Sequence, residues 1–156
     1  MAQEGLKKRD IHYTLASTKA GPCEGSNGGH VNAEVAFKDV RYNDFDALAV
    51  IGGPGSAELA KDEDVLNVCR AFWDASKPIG AICHGPYILA AAGALKGKQA
   101  SVWTNGGKDS KLPEYIESRG VKHTGKPVTV DGRIVTAEGP SSAKEFGEAF
   151  AGILAA

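Results

Sequence analysis

The sequence predicts a single α/β domain with a mostly parallel sheet, and three observations carry that reading. Short, nearly continuous apolar runs alternate with segments of helical period, the pattern left by strands whose two faces are covered by helices. Two of those runs, residues 46–51 and 78–82, end in small-residue turns, Gly52-Gly53-Pro54-Gly55 and Cys83-His84-Gly85. No repeat, low-complexity tract or linker interrupts the 156 residues, so one domain is drawn over 1–156.

Each element follows in order. Residues 11–16, Ile-His-Tyr-Thr-Leu-Ala, read as a strand; Gly21-Pro22 and Asn27-Gly28-Gly29 then mark a loop, and residues 30–40 have room for one or two short strands. The run 46–51, Asp-Ala-Leu-Ala-Val-Ile, reads as a core strand buried on both faces. Over residues 62–76, Val65, Cys69, Phe72 and Trp73 recur at helical spacing, and the acids Asp62, Glu63 and Asp64 occupy the first turn, where the helix dipole favours them. Residues 78–82 form a short apolar strand with proline at its first position, and residues 85–92 return to helix-forming alanine and leucine. Residues 128–130 and 133–137 predict a hairpin across Asp131-Gly132. A last helix begins near Gly139-Pro140-Ser141 and places Phe146, Phe150, Ile153 and Leu154 on one face.

Composition narrows the function classes. An apolar fraction of 42% suffices for one buried core without metals or cross-links. Eighteen Lys and Arg against nineteen Asp and Glu leave a net charge of −1, which lacks the electrostatic footprint of a nucleic-acid or membrane-surface binder and fits a small neutral or zwitterionic partner. The first ten residues carry charges but no apolar core of a signal peptide, and no apolar stretch approaches a membrane span, so a cytoplasmic location is expected. Three widely spaced cysteines, an odd number, argue against a disulfide framework and suit a reducing compartment.

The chemistry gathers at Cys83. A thiol between small residues, after a buried strand and before a helix, has the layout of a nucleophile elbow, and the partial positive charge of the helix start is expected to favour the thiolate. An unpaired cysteine taken alone is more often a small buried hydrophobe. What tips the balance is the joint pattern of strand, Cys-His-Gly-Pro and helix, preceded by a second glycine-rich strand end at Gly52-Gly53. Two such turns can meet at the carboxyl edge of a parallel sheet, where the backbone N–H groups of Gly53 and His84 would face one oxyanion. His84 directly follows the nucleophile and serves as base if its ring folds back, or else is a solvent-facing residue of the helix start. Cys69 belongs to the core and Cys23 to a loop. The histidines 12, 30, 84 and 123 lack metal-ligand spacing, the segment Gly53 to Glu58 lacks the third glycine of a dinucleotide fingerprint, and no phosphate-binding loop occurs. Neither a metal nor a cofactor is expected. Trp73 and Trp103 read as core or rim aromatics, and residues 105–109 as a plain loop, with a loop bordering the site as the alternative.

At these residues the sequence resembles the DJ-1/PfpI superfamily. The segments that carry the likeness are residues 46–53 (DALAVIGG), 81–89 (AICHGPYIL), 92–98 (AGALKGK) and 130–140 (VDGRIVTAEGP), and the Cys-His-Gly-Pro form resembles the PfpI-like branch. The resemblance implies a flavodoxin-like three-layer sandwich with Cys83 as nucleophile, His84 as its partner and the backbone of Gly53 and His84 as oxyanion site. It implies a cysteine-dependent enzyme acting on reactive carbonyls, a glutathione-independent glyoxalase or deglycase, with an intracellular cysteine peptidase and a non-catalytic redox sensor or chaperone as the alternatives. Family members usually open with a strand whose acidic end meets the thiol; this chain begins at what resembles the end of the following helix, so it is expected to be N-terminally short. PfpI-like members add a glutamate after the Gly-Gly turn, often from a neighbouring subunit, which implies Glu58 here and a homo-oligomer, with Glu24 and Glu34 as other acids. The partner implied is a small carbonyl substrate such as methylglyoxal.

Overall fold

In the computed structural model, which describes residues 2–25 and 28–155, the chain opens with helix α1 (Ala2–Lys8) and a short strand β1 (Ala16–Ser17). A hairpin of β2 (Gly21–Glu24) and β3 (His30–Ala33) follows, then β4 (Val35–Ala36) and β5 (Leu48–Ile51). Helices α2 (Ser56–Leu59) and α3 (Glu63–Asp74) lead to β6 (Ile79–Ile82) and α4 (Gly85–Ala91). Beyond them come β7 (Gln99–Ala100), α5 (Lys111–Ser118) and β8 (Lys122–His123), then β9 (Val128–Asp131), β10 (Ile134–Ala137) and α6 (Ala143–Leu154).

The central sheet runs β5-β6-β10-β9, with β6 parallel to both neighbours and β10 antiparallel to β9. Every residue of β6 and β10 is buried. Side chains alternate between faces along a strand, and that alternation sorts them into two cores. Ile79, Ala81 and Ile134 join Cys69 and Phe72 of α3 and Ile88 and Leu89 of α4, whereas Ile82, Val135 and Ala137 join Phe146 and Phe150 of α6. Helices therefore cover both faces, and the fold is the expected three-layer α/β sandwich around a mostly parallel sheet. Gly80 is small because a Cβ there would fall 3.0 Å from the Phe146 ring. Helix α1 lies directly on α6, where a Cβ on Gly5 would come within 2.8 Å of the Gly147 carbonyl carbon. Two arginines tie down the far end of α4: Arg119 donates to the carbonyls of Ala90 and Ala91 at 3.2 and 3.0 Å, and Arg70 to that of Ala92 at 3.1 Å, satisfying acceptors a helix end leaves open.

Several elements depart from the expectation. Within residues 11–16 only Ala16 enters a ladder, pairing β1 in parallel with β4; residues 11–15 keep a strand's alternation of half-buried and exposed positions outside any ladder, with the Leu15 carbonyl accepting from the Glu34 N–H at 2.8 Å. Gly21-Pro22 opens strand β2 instead of a loop, and of the expected Asn27-Gly28-Gly29 turn, Asn27 lies outside the described residues. Strand β5 is not buried on both faces: it is the edge of its sheet among the described residues, and Ile51 is 60% exposed. The hairpin turn sits one residue later than expected, since Asp131 pairs with Ile134 and Gly132, at φ +60, takes the first central position. Helix α5 and the β7–β8 pair were not anticipated. Asp62 caps α3 as its acid suggested, accepting from the Asp64 N–H at 2.9 Å.

One contact positions everything that follows. The turn after β5 and the turn after β6 pack backbone against backbone, with Gly52 against His84 and Gly85, and Gly85 against the carbonyl of Val50. A Cβ on Gly52 would fall 2.6 Å from the His84 carbonyl carbon, and one on Gly85 would overlap the Val50 oxygen. Neighbouring Gly53 has open space around it. Gly52→Ala should therefore cost about 2–3 kcal/mol through overpacking, and Gly53→Ala within about 0.5 kcal/mol. Urea denaturation of the two variants checks this, and equal midpoints would contradict it.

Candidate active site

Cys83 follows the last residue of β6 with φ +64, the left-handed region that side chains other than glycine rarely occupy. That conformation costs about 1–2 kcal/mol and is held by bonds on both sides of the residue. The Cys83 N–H donates to the Ala137 carbonyl at 2.9 Å, and its own carbonyl accepts from the Trp103 N–H at 2.9 Å. The sharp turn that the small neighbours suggested is thus present, and it leaves the thiol half-buried at the sheet end.

His84 precedes the first residue of α4, and its Nδ1 lies 3.2 Å from the Cys83 sulfur. The ring folds back on the thiol, which is the condition set for it to act as base. Burial pushes the Cys83 thiol above its ordinary value, and the His84 backbone N–H works in the opposite direction. Burial likewise lowers the His84 imidazole, while the Asp109 carboxylate raises it. Burial thus opposes the thiolate that the helix start was expected to favour. Helix α4 is only 7 residues long, and desolvation outweighs the stabilisation nearby backbone offers the anion. A proton leaving Cys83 has His84 Nδ1 as its receiver.

The Gly53 N–H is already bonded, donating to Ser56 Oγ at 2.9 Å, while the Ser56 N–H donates to the Gly53 carbonyl at 3.0 Å. Ser56 is buried. In this conformation the Gly53 donor expected for an oxyanion is occupied by a hydroxyl that a substrate oxygen would have to displace. A cavity of about 310 Å³ opens over this turn, walled by Ile51, Pro54 and Leu59; Cys83 does not line it. Glu58 is exposed on α2, and among the described residues no hydrogen bond or ion pair joins it to Cys83 or His84. Glu24 and Glu34 are exposed on or beside the β2–β3 hairpin. Cys69 is buried in the core with its thiol pushed up to about 12 by desolvation, and Cys23 is half-buried on β2. Among the described residues no three His, Cys, Asp or Glu side chains gather as metal ligands.

Two residues read only as loop and rim turn out to flank the imidazole. Asp109 acts on the His84 charge from the loop after β7, where its N–H donates to the Thr104 carbonyl at 2.9 Å. Trp103 stacks on the His84 ring, with centroids 6.1 Å apart and planes inclined by 27°. Neither spacing nor periodicity marks them, because they reach the site through a return of the chain to the sheet end.

The DJ-1/PfpI family profile matches residues 2–152. The chain belongs to the DJ-1/PfpI family. The family likeness extends to a deglycase of Pyrococcus abyssi, 33% identical over 135 residues that span 86% of this chain and 78% of the relative. A glutathione-independent glyoxalase of Caenorhabditis elegans is 28% identical over 90% of this chain and 72% of its own length. The crystal structure of a ThiJ/PfpI domain protein from Brachyspira murdochii superposes with a TM-score of 0.90 at 27% identity, covering 99% of this chain and 86% of the other. No described helix is long and apolar enough to cross a membrane.

The electrostatics of the pair set a sign. Because burial holds the imidazole below 6.5 and Asp109 opposes that, Asp109→Asn should move the His84 midpoint to still lower pH. Imidazole chemical shifts followed by NMR against pH read the midpoint directly, and a shift to higher pH on substitution would contradict the assignment.

Proposed function

We propose that this DJ-1/PfpI family member is a cysteine-dependent enzyme acting on small reactive carbonyl compounds, in the manner of a glyoxalase or deglycase. The observation that carries the reading is the Cys83 sulfur 3.2 Å from His84 Nδ1 on a left-handed turn at the sheet end. The names of the deglycase and glyoxalase relatives support it.

With methylglyoxal the steps balance. His84 Nδ1 takes the thiol proton as the Cys83 sulfur bonds to the aldehyde carbon, and the carbonyl electron pair moves to oxygen, which recovers that proton from the imidazolium. The hydrogen on the former aldehyde carbon then passes to the adjacent keto carbon by way of an enediol. One carbon is oxidised and the other reduced, so no outside oxidant is needed. Water releases lactate from the resulting thioester and restores the thiol. The acid limb of this reaction falls where His84 becomes protonated, because an imidazolium cannot receive the thiol proton. The rate should fall as pH drops through a midpoint below 6.5, the side to which burial moves the imidazole.

Among the acids, Asp109 is the one placed to support an imidazolium, and Glu58 is left exposed on α2. Purified protein incubated with methylglyoxal should form lactate, Cys83→Ser should lose activity by about 10³-fold or more, and Asp109→Asn should lose more than Glu58→Gln. Equal lactate formation by wild type and Cys83→Ser would remove the proposal.

A further inference from the structure

The His84 ring is held by something other than its own backbone. Its bond to the Cys83 sulfur, at 3.2 Å, depends on which way the imidazole faces, and a side chain beginning a helix has freedom to turn outward. The indole of Trp103 stacks beside it, with ring centroids 6.1 Å apart and planes inclined by 27°. Trp103 is in turn anchored at both ends. Its backbone N–H donates to the Cys83 carbonyl at 2.9 Å, and its six-membered ring rests on Gly139, where a Cβ would fall 2.8 Å from Cζ3 and 2.9 Å from Cε3. Gly139 has φ 172, extended backbone open to any residue, so its missing side chain serves space and not conformation.

From this chain of contacts we infer that Trp103 is a positioning residue, clamped between Gly139 and His84, that keeps the imidazole turned toward the Cys83 sulfur. The inference rests on the Cys83–His84 reading above and deepens it. An indole on this side of the imidazole disfavours turning the ring toward it and away from the thiol. Its electron-rich face also attracts a cation, tryptophan being the best aromatic for this, so it favours the imidazolium formed when His84 takes the thiol proton. The charged or titratable groups facing His84 are the Cys83 sulfur and the Asp109 carboxylate. Trp103 adds an aromatic face to that pair, and the three together hold the thiolate–imidazolium state against the desolvation that opposes it.

The test needs no substrate. Alkylation of Cys83 by iodoacetamide, followed by mass spectrometry from about pH 5 to about pH 9, reads the thiolate in the whole protein. Cys69, 2% exposed, serves as an internal control because only a loosened fold labels it. At pH 7 Trp103→Leu should alkylate about three- to tenfold more slowly than wild type, with its acidic limb moved to lower pH, while Trp103→Phe, which keeps an aromatic face, should stay within about twofold. Gly139→Ala keeps the indole but displaces it, and should behave like Trp103→Leu. A wild-type profile in either Trp103→Leu or Gly139→Ala, with Cys69 unlabelled, would overturn the assignment. Lactate formation tests the carbonyl chemistry separately: its absence alongside the expected alkylation profiles would sink the proposed reaction and leave the role of Trp103 standing.

Discussion

The backbone contact between Gly52 and the His84–Gly85 peptide is the constraint from which the site is built. Strands β5 and β6 are parallel and in register, Ile51 opposite Ile82, so their carboxyl ends finish side by side and the two following turns must share one narrow space. Neither turn tolerates a Cβ at the point of contact. The close approach lies at the sharp turn by which the chain leaves β6, where Cys83 takes its left-handed conformation. It also brings the Gly53–Ser56 turn, over which the cavity opens, to the same sheet end as the start of α4.

Holding a thiol this way has an electrostatic consequence. A thiol at the end of a fully buried strand is poorly solvated, and the same burial that fixes its geometry disfavours its anion. The neighbouring imidazole suffers in the opposite sense, since burial disfavours its cation. Considered singly, each group is pushed toward its neutral form. Considered as a pair, a proton passed across 3.2 Å creates two opposite charges that stabilise each other, and the groups flanking His84 decide how readily that happens. Asp109 contributes charge and Trp103 contributes a face and a fixed plane. In the proposed chemistry the reactivity of Cys83 is thus a property of four residues from three stretches of chain, β6 to α4, the start of the loop after β7, and that loop's end.

Much of the scaffold was legible in the sequence because its signals are local. The acids at residues 62–64 and the spacing of Val65, Cys69 and Phe72 announce α3, and the aromatic spacing of Phe146 and Phe150 announces α6. The run before Cys83 and the helix formers after it announce the elbow, since strand, turn and helix are adjacent in the chain. Local signals failed where pairing decides the outcome. Residues 11–15 have a strand's composition but enter no ladder, and the apolar run ending at Ile51 reads as fully buried although it forms a sheet edge among the described residues. The Asp131-Gly132 dipeptide marked the hairpin but not its register, which the pairing of Asp131 with Ile134 shifted by one.

By itself, then, the sequence determined the three-layer class and the strand–turn–helix passage through Cys83 and His84, because the signals for those elements are local. Only the tertiary structure decided which way His84 turns, that Gly53 is bonded to Ser56, and that Trp103 and Asp109 stand beside the imidazole. Those facts depend on the chain returning to the sheet end some twenty residues after it left, and hydrophobic periodicity carries no record of where a loop comes back.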